Sequence, residues 1–100
     1  SRERAYPTSE AVLKAVADYF DLSPHDLSGK SRTKEIAEAR HIAMYLLRED
    51  SQQRTTDIGR LLGGRDHSTV IHALRKISTS LLTDSQLTRQ IAEIRTVLSP

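Results

Sequence analysis

Residues 63–77 read GGRDHSTVIHALRKI, and this stretch decides the fold class. Apolar side chains recur along a helix here at spacings of four, three and four, which places them in one stripe; they are Val70, Leu74, Ile77 and Leu81. Polar side chains gather on the opposite side; they are Arg65, Ser68, Thr69, His72 and Lys76. Short polar side chains at the start of a helix allow its backbone to enter a DNA major groove, which is about 12 Å wide. The pattern predicts a helix that is anchored by one face and free to bind with the other.

A shorter helix is predicted just before this stretch. Either Thr55 or Thr56 can cap it, the glycine pair at 63–64 ends it, and Asp66 then caps a helix at about 67–79. Two short helices joined by a glycine-containing turn are typical of a helix-turn-helix, in which Gly63 is one residue more than usual and predicts a slightly wider turn. An αα-hairpin whose polar face meets only water has the same pattern, so that alternative stays open.

Helical periodicity continues through the rest of the chain. Predicted helices cover a segment from Thr8 or Ser9 to about Leu22, one turn at 23–27, a long helix at about 34–49 and a last helix capped by Asp84 or Ser85. No stretch alternates apolar and polar residues in the strand period, so the predicted fold class is all-α, with about six helices. Residues 1–7 are expected to form a linker or tail, and residues 8–100 one helix-turn-helix domain.

Composition excludes several classes of protein. The 100 residues are 37% hydrophobic and contain no cysteine, which favours one domain without disulfides or a cysteine metal site. Four aromatic residues are too few for a platform that stacks single-stranded bases. No apolar run approaches the roughly 20 residues that cross a bilayer, and the first residues lack a signal-peptide pattern, so a cytoplasmic location is expected.

Positive charge is concentrated in the middle of the chain. The net charge is only +2, but residues 28–76 carry ten basic and six acidic side chains. Within them, residues 28–34 hold three cations, no acid and no apolar side chain to bury, which predicts an exposed loop. A polyanion would be attracted to this middle segment.

Residue spacing argues against two kinds of chemistry. Asp66, His67 and Ser68 are the residue types of a hydrolase triad, but successive residues of a helix point about 100° apart and cannot form a relay. His67 and His72 are five residues apart, and no pair of histidines has the spacing of four that places two zinc ligands on one helix face. The sequence therefore predicts neither an enzyme nor a metal site.

The run at 63–77 closely resembles the signature of the DNA-binding domain of the bacterial replication initiator DnaA. Supporting matches are the basic loop KSRTK at 30–34, the stretch RHIAMYL at 40–46 and the pair Ile58-Gly59. The resemblance starts at about Thr8 and implies a C-terminal module with a TrpR-like helix-turn-helix. In that family an ATP-binding AAA+ region precedes the module, so ATP is expected there and no cofactor in the present residues. The implied partner is double-stranded DNA at origin boxes, asymmetric and related to TTATNCACA.

The resemblance also implies roles for individual residues. Arg32 is expected in the minor groove, where the narrow groove of an A/T-rich stretch attracts a guanidinium. Asp66, His67 and Ser68 are expected to contact base edges in the major groove. Phosphate contacts are expected from eleven further residues: Lys30, Thr33, Lys34, Arg40, His41, Arg54, Thr55, Thr56, Arg65, Thr69 and Lys76.

Several positions depart from the family pattern, among them Arg54-Thr55-Thr56, which stands where Ser-Leu-Pro is typical. Ser68 replaces the usual Thr and lacks the methyl group that would contact thymine. His41 stands where Gln is common and can still donate to a phosphate, more strongly when protonated. Glu38 occupies a position that is frequently basic; because a carboxylate repels phosphate, Glu38 is expected to point away from the DNA.

Several alternatives remain open at this point. Asp66 could be only a helix cap, and Arg32 only a loop cation. The domain could instead be the output domain of a transcription regulator that binds a palindrome as a dimer, or a helical module that binds an acidic protein. The resemblance implies that the isolated domain is a monomer and that full-length family members assemble on DNA.

Overall fold

A computed structural model describes residues 6–99, and within this range all regular structure is helical. The all-α prediction is confirmed. The six helices are α1 (Ser9–Tyr19), α2 (Pro24–Ser28), α3 (Lys34–Glu49), α4 (Thr55–Leu61), α5 (His67–Ser80) and α6 (Ser85–Leu98). Most of the proposed linker lies outside the described residues. Pro7 lies within them, and its carbonyl oxygen accepts a hydrogen bond of 2.8 Å from the Ser51 hydroxyl.

Side-chain caps set where most of the helices begin. An oxygen of the cap side chain accepts from the backbone amide three residues later, as the capping rule requires; the caps are Thr8, Ser23, Thr33, Asp66 and Asp84. The predicted cap of α4 is wrong. Arg54 occupies that position, while Thr55 and Thr56 lie in the first turn.

The core is built around α3. This helix contacts α1, α2, α4 and α5, and α6 packs on α1. Each of the six helices contributes to the largest fully buried side chains, which are Leu27, Ile42, Met44, Leu46, Leu47, Ile58, Leu62, Ile94, Val12, Val16 and Val70. The Tyr19 hydroxyl also hydrogen-bonds the Glu93 carboxylate and links α1 to α6. No helix among residues 6–99 is both long and apolar enough to cross a membrane.

The second helix of the helix-turn-helix, α5, is anchored as its apolar stripe predicts, with one correction. Val70 and Ile77 are buried, whereas Leu74 and Leu81 are only partly buried against the core. Ala73 is buried between them, a position that the spacing of large apolar residues did not indicate. α5 contacts both α3 and α4, and the side chains on its opposite face are exposed to solvent.

Candidate nucleic-acid interface

Two hydrogen bonds to one backbone carbonyl hold the turn between α4 and α5. The oxygen of Gly59 accepts from the amides of Gly64 at 2.9 Å and Arg65 at 3.0 Å. A β-carbon on Gly59 would lie 2.1 Å from the Arg65 carbonyl oxygen, so the turn packs directly on the α4 backbone. This close contact holds the start of α5 at a defined place relative to α4.

The first turn of α5 is open to solvent. Asp66, His67, Ser68 and Thr69 are all exposed. The Asp66 carboxylate accepts from the Thr69 amide at 3.0 Å, and this bond is the main reason that the pKa of Asp66 lies below its ordinary value. Asp66 therefore is a helix cap, and its contact with a base remains a prediction.

The basic loop lies beside the helix-turn-helix turn. Lys30 and Arg32 are exposed, while the Thr33 hydroxyl caps α3 by accepting from the Ile36 amide at 3.4 Å. Loop and turn together line an open cavity of about 450 Å³, which we call the loop–turn cavity. Its lining has four cations and no carboxylate; the residues are Gly29, Lys30, Ser31, Arg32, Ala37, Arg40, Gly63 and Arg65.

Arg40 lines this cavity from its buried side. Its side chain is buried, with 6% of the residue exposed, and burial followed by the charge of Arg65 lowers its pKa. Its guanidinium donates to four backbone carbonyls; they belong to Asp26, Leu27, Gly29 and Ser31. Because these four bonds occupy most of the N–H donors of the guanidinium, Arg40 holds the loop in place, and its phosphate contact stays a prediction.

Arg65 is half-buried and joins the turn to the loop. Its Nη2 donates to the Gly29 carbonyl oxygen at 2.8 Å, and its Nη1 donates to the Leu62 carbonyl. Two edges of the guanidinium are thus occupied within the protein. Its phosphate contact stays a prediction.

A groove between α3 and α5, closed at one side by the start of α6, gathers three of the other predicted phosphate contacts. This α3–α5 groove encloses about 260 Å³, and its lining includes Lys34, His41 and Lys76. Glu38 lines the same groove, so its predicted orientation away from the DNA depends on how a duplex lies on this groove. Burial, followed by the charges of Lys76, Arg40 and His72, lowers the pKa of His41, while Glu38 acts in the opposite direction.

The start of α4 provides the remaining predicted contacts. Within residues 6–99 no side chain caps this helix, so its first backbone amides, at Thr55 and Thr56, have no side-chain partner. Arg54 is exposed and its Nε lies 3.3 Å from an Asp57 oxygen, while Arg60 contacts the other oxygen at 2.9 Å. Asp57 therefore partly neutralises both arginines.

Arg75 is a candidate that the sequence-based prediction did not include. It is exposed on α5, three residues after His72 and seven after Ser68, and therefore lies on the same helix face as both. Its spacing from Ser68 is the signal that could have indicated it. Arg75 lies within the run that matches the family signature but outside the apolar stripe.

These features define a class of protein. A helix-turn-helix whose second helix begins with an open polar turn, flanked by a basic loop, is a DNA-binding architecture. Among residues 6–99, no group of three or more His, Cys, Asp or Glu side chains is placed to hold a metal ion.

Comparison with known proteins identifies the family. The family model described as bacterial dnaA protein helix-turn-helix matches residues 9–77. The chain belongs to this family, the helix-turn-helix domains of bacterial DnaA.

Individual relatives agree with the family. The chromosomal replication initiator protein DnaA of Lacticaseibacillus casei (strain BL23) is 48% identical over 91 residues, which are 91% of this chain and 20% of that protein. The protein of the same name from Roseiflexus castenholzii (strain DSM 13941 / HLO8) is 41% identical over 95 residues, 95% of this chain and 20% of its own length. A crystal structure of a DNA replication initiation factor aligns with a TM-score of 0.74 at 26% identity, covering 91% of this chain and 30% of that one. The chain thus spans about a fifth of the length of these curated relatives.

Proposed function

We propose that this domain binds double-stranded DNA sequence-specifically at origin boxes of the DnaA type and catalyses no reaction. The observation that carries the proposal is the placement of the Arg32 loop directly beside the turn that starts α5, since the Arg65 to Gly29 bond joins the two. This placement suits a protein that reads neighbouring major and minor grooves at once. The relatives are named chromosomal replication initiator proteins, which agrees with a role at the origin.

In the major groove, the first turn of α5 would contact base edges. A carboxylate such as that of Asp66 can accept from a cytosine amino group, and this carboxylate is exposed although it also caps the helix. His67 and Ser68 are exposed beside it and can donate to or accept from bases. Because Ser68 lacks a methyl group, we expect weaker contact with thymine than a Thr would make.

In the minor groove, Arg32 would read A/T-rich sequence. Its side chain is exposed in a loop whose backbone is held from below by Arg40. A narrow groove concentrates negative potential, which favours an inserted guanidinium.

The surfaces around the first turn of α5 and around Arg32 would contact phosphates. Lys30 would contact a phosphate from the basic loop, and Thr69 would contact one from α5. The α3–α5 groove would supply the contacts of Lys34, His41 and Lys76. The backbone amides of Thr55 and Thr56 have no capping side chain, and with Arg54 beside them they suit a phosphate at the start of α4. Such contacts position the duplex and make binding depend on salt.

The complex we propose is one domain on one box. The box is asymmetric, so a single copy suffices, and assembly of longer family members on DNA would involve regions outside this chain. ATP binding belongs to those regions as well. DNA at a bacterial origin is in the cytoplasm, where we place the domain.

A fluorescence anisotropy titration tests the proposal. A duplex that contains a TTATNCACA-type box and a scrambled duplex of the same composition are titrated with the domain at two salt concentrations. We expect tighter binding to the box and a steep loss of affinity with salt. Equal binding to both duplexes would refute sequence-specific binding, and a two-fold symmetric footprint with self-association would favour a dimeric regulator.

Two single substitutions separate recognition of base pairs by Arg32 from phosphate contact by Lys30. Arg32→Ala should reduce discrimination against changed A/T pairs by about 1–3 kcal/mol. Its matched control, Lys30→Ala, removes one cation from the same loop and should weaken binding to every duplex alike. If the two variants behave identically, Arg32 is an ordinary loop cation.

A further inference from the structure

We infer that Arg40 and Arg65 form a clamp on the Gly29 carbonyl that sets the position of Arg32 relative to the first turn of α5. Both arginines are then positioning residues for base-pair discrimination. The inference rests on the proposed function and goes beyond it, because it assigns specificity to two side chains that need not touch a base.

Arg40 cross-links the basic loop to the end of α2. Its Nε donates to the Leu27 carbonyl at 2.8 Å, and its Nη1 donates to the Ser31 carbonyl at 3.1 Å. Its Nη2 donates to Asp26 at 3.2 Å and to Gly29 at 3.3 Å. The planar fork of an arginine can serve carbonyls on both sides of the loop at once, whereas the single nitrogen of a lysine cannot.

Arg65 connects this cross-linked loop to the helix-turn-helix. Its Nη2 reaches the Gly29 oxygen at 2.8 Å, so one carbonyl accepts from both guanidiniums. Gly29 and Arg65 are 36 residues apart in the sequence. The bond therefore joins two elements that the chain itself does not hold together.

The backbone of the turn packs against the same place. A β-carbon on Gly63 would lie 2.1 Å from the Ser28 carbonyl oxygen, so the turn and the end of α2 touch without an intervening side chain. Two independent contacts, one by backbone packing and one by a charged hydrogen bond, thus hold the loop and the turn in register. A loop that is ordered before binding loses less conformational freedom when it enters the minor groove.

Positioning and direct phosphate contact make different predictions for Arg40. If Arg40 only positions Arg32, its loss should reduce discrimination at A/T pairs and should have no such effect once Arg32 is absent. If Arg40 contacts a phosphate, its loss should weaken binding to all duplexes, lower the salt dependence by about one phosphate contact and add to the effect of Arg32→Ala.

A double-mutant cycle decides between them. Arg40→Gln and Arg32→Ala are measured singly and together by anisotropy, on the box and on a box with one A/T pair changed. Lys30→Gln is the matched control, since it removes one charge from the same loop without touching the clamp. We expect about a tenfold loss of A/T discrimination for Arg40→Gln, little for Lys30→Gln, and no further loss for Arg40→Gln when Arg32 is already Ala.

A second variant and a second measurement cover the case in which Arg40→Gln does not fold. Arg65→Gln removes only the link to Gly29 and Leu62 from a half-buried position. Amide hydrogen exchange of this variant, without DNA, should be faster at Gly29 and Thr33, whose amides donate to the Asp26 carbonyl and the Ser31 hydroxyl, and unchanged in the middle of α5. Unchanged exchange at Gly29 and Thr33 would overturn the clamp.

The outcomes also separate this inference from the proposed function. A wild-type domain that binds box and scrambled duplexes equally contradicts the proposed function. A wild-type domain that discriminates, together with Arg40→Gln and Arg65→Gln variants that keep the full A/T discrimination, contradicts only the clamp.

Discussion

Gly63 and Ser28 are in direct backbone contact, although they lie far apart in the sequence: a β-carbon on Gly63 would stand 2.1 Å from the Ser28 carbonyl oxygen. Gly63 also has a φ of +89°, a region that side chains rarely adopt. The extra glycine of the turn therefore serves two purposes. It turns the chain, and it lets the turn touch the end of α2.

The glycine pair offers a matched test of that contact. Gly64 has a φ of +79°, but a β-carbon added there would have open space within 4 Å, so Gly64→Ala should cost only the backbone strain, about 1–2 kcal/mol. Gly63→Ala must also displace a backbone oxygen and should cost about 2–5 kcal/mol. Urea denaturation of both variants measures the difference. Equal losses would mean that the Ser28 contact does not constrain the fold.

Substitutions of Asp66 should separate its two roles. Asp66→Asn keeps an oxygen that can accept from the Thr69 amide, so the domain should melt close to the wild-type temperature, whereas Asp66→Ala should melt several degrees lower. Both variants remove the carboxylate that we propose to accept from cytosine. Discrimination at one G/C pair should therefore fall about tenfold in both. Full discrimination by Asp66→Asn would leave Asp66 as a cap alone.

The stability that the Asp66 cap contributes should fall in acid. The pKa of Asp66 is lowered in the folded state, chiefly by the Thr69 amide, so its stabilisation is present above the unfolded value of about 3.9 and is lost as the pH falls through the lower folded pKa. Thermal melts of wild type and Asp66→Ala, which lacks the cap, between about pH 5 and pH 2 check this. The gap between the two proteins should shrink toward the acid end.

His41 should make the free domain less stable in mild acid. Its folded pKa is lowered, first by burial and then by Lys76, Arg40 and His72, so the fold favours the neutral ring. Stability from this source is present above the unfolded pKa of about 6.5 and is lost as the pH falls from there through the lower folded value. His41→Gln should show a smaller loss, measured as the difference between the two melting curves. If the melting temperatures of wild type and His41→Gln depend on pH in the same way, this role of His41 is contradicted.

Binding of DNA should favour the protonated form of the His41 ring, which the free domain disfavours. A phosphate beside the ring stabilises the imidazolium, so binding should take up a proton and tighten as the pH falls from about 8 to 6. His41→Gln should lose part of this dependence. The same pH dependence in both would show that His41 does not contact phosphate.

Glu38 should weaken DNA binding in the present sequence. Its carboxylate lines the groove that holds His41 and Lys76, two of the proposed phosphate contacts. Glu38→Gln should therefore tighten binding to box and scrambled duplexes alike, by about two- to fivefold at low salt. Glu35→Gln is the control, because Glu35 is exposed on the same helix and does not line the groove. Equal effects of the two substitutions would reflect net charge alone.

Periodicity and capping predicted most of the fold. The long helix at 34–49, the caps Thr33, Asp66 and Asp84 and the open polar start of α5 all follow from interactions among residues three or four apart. One local prediction failed: at the start of α4, Arg54 is the N-cap position although two threonines follow it.

The arrangement of the candidate site was decided by the tertiary structure. By sequence, Arg40 is one more surface cation of the basic middle segment, yet its four carbonyl partners lie nine to fourteen residues away and draw it into the interior. Glu38 faces His41 and Lys76 because α3 packs against α5 at that point. Helical spacing specifies which residues share one face of a helix, but which two faces meet depends on the packing of the whole core, and the meeting of Arg65 with Gly29 is a result of that packing.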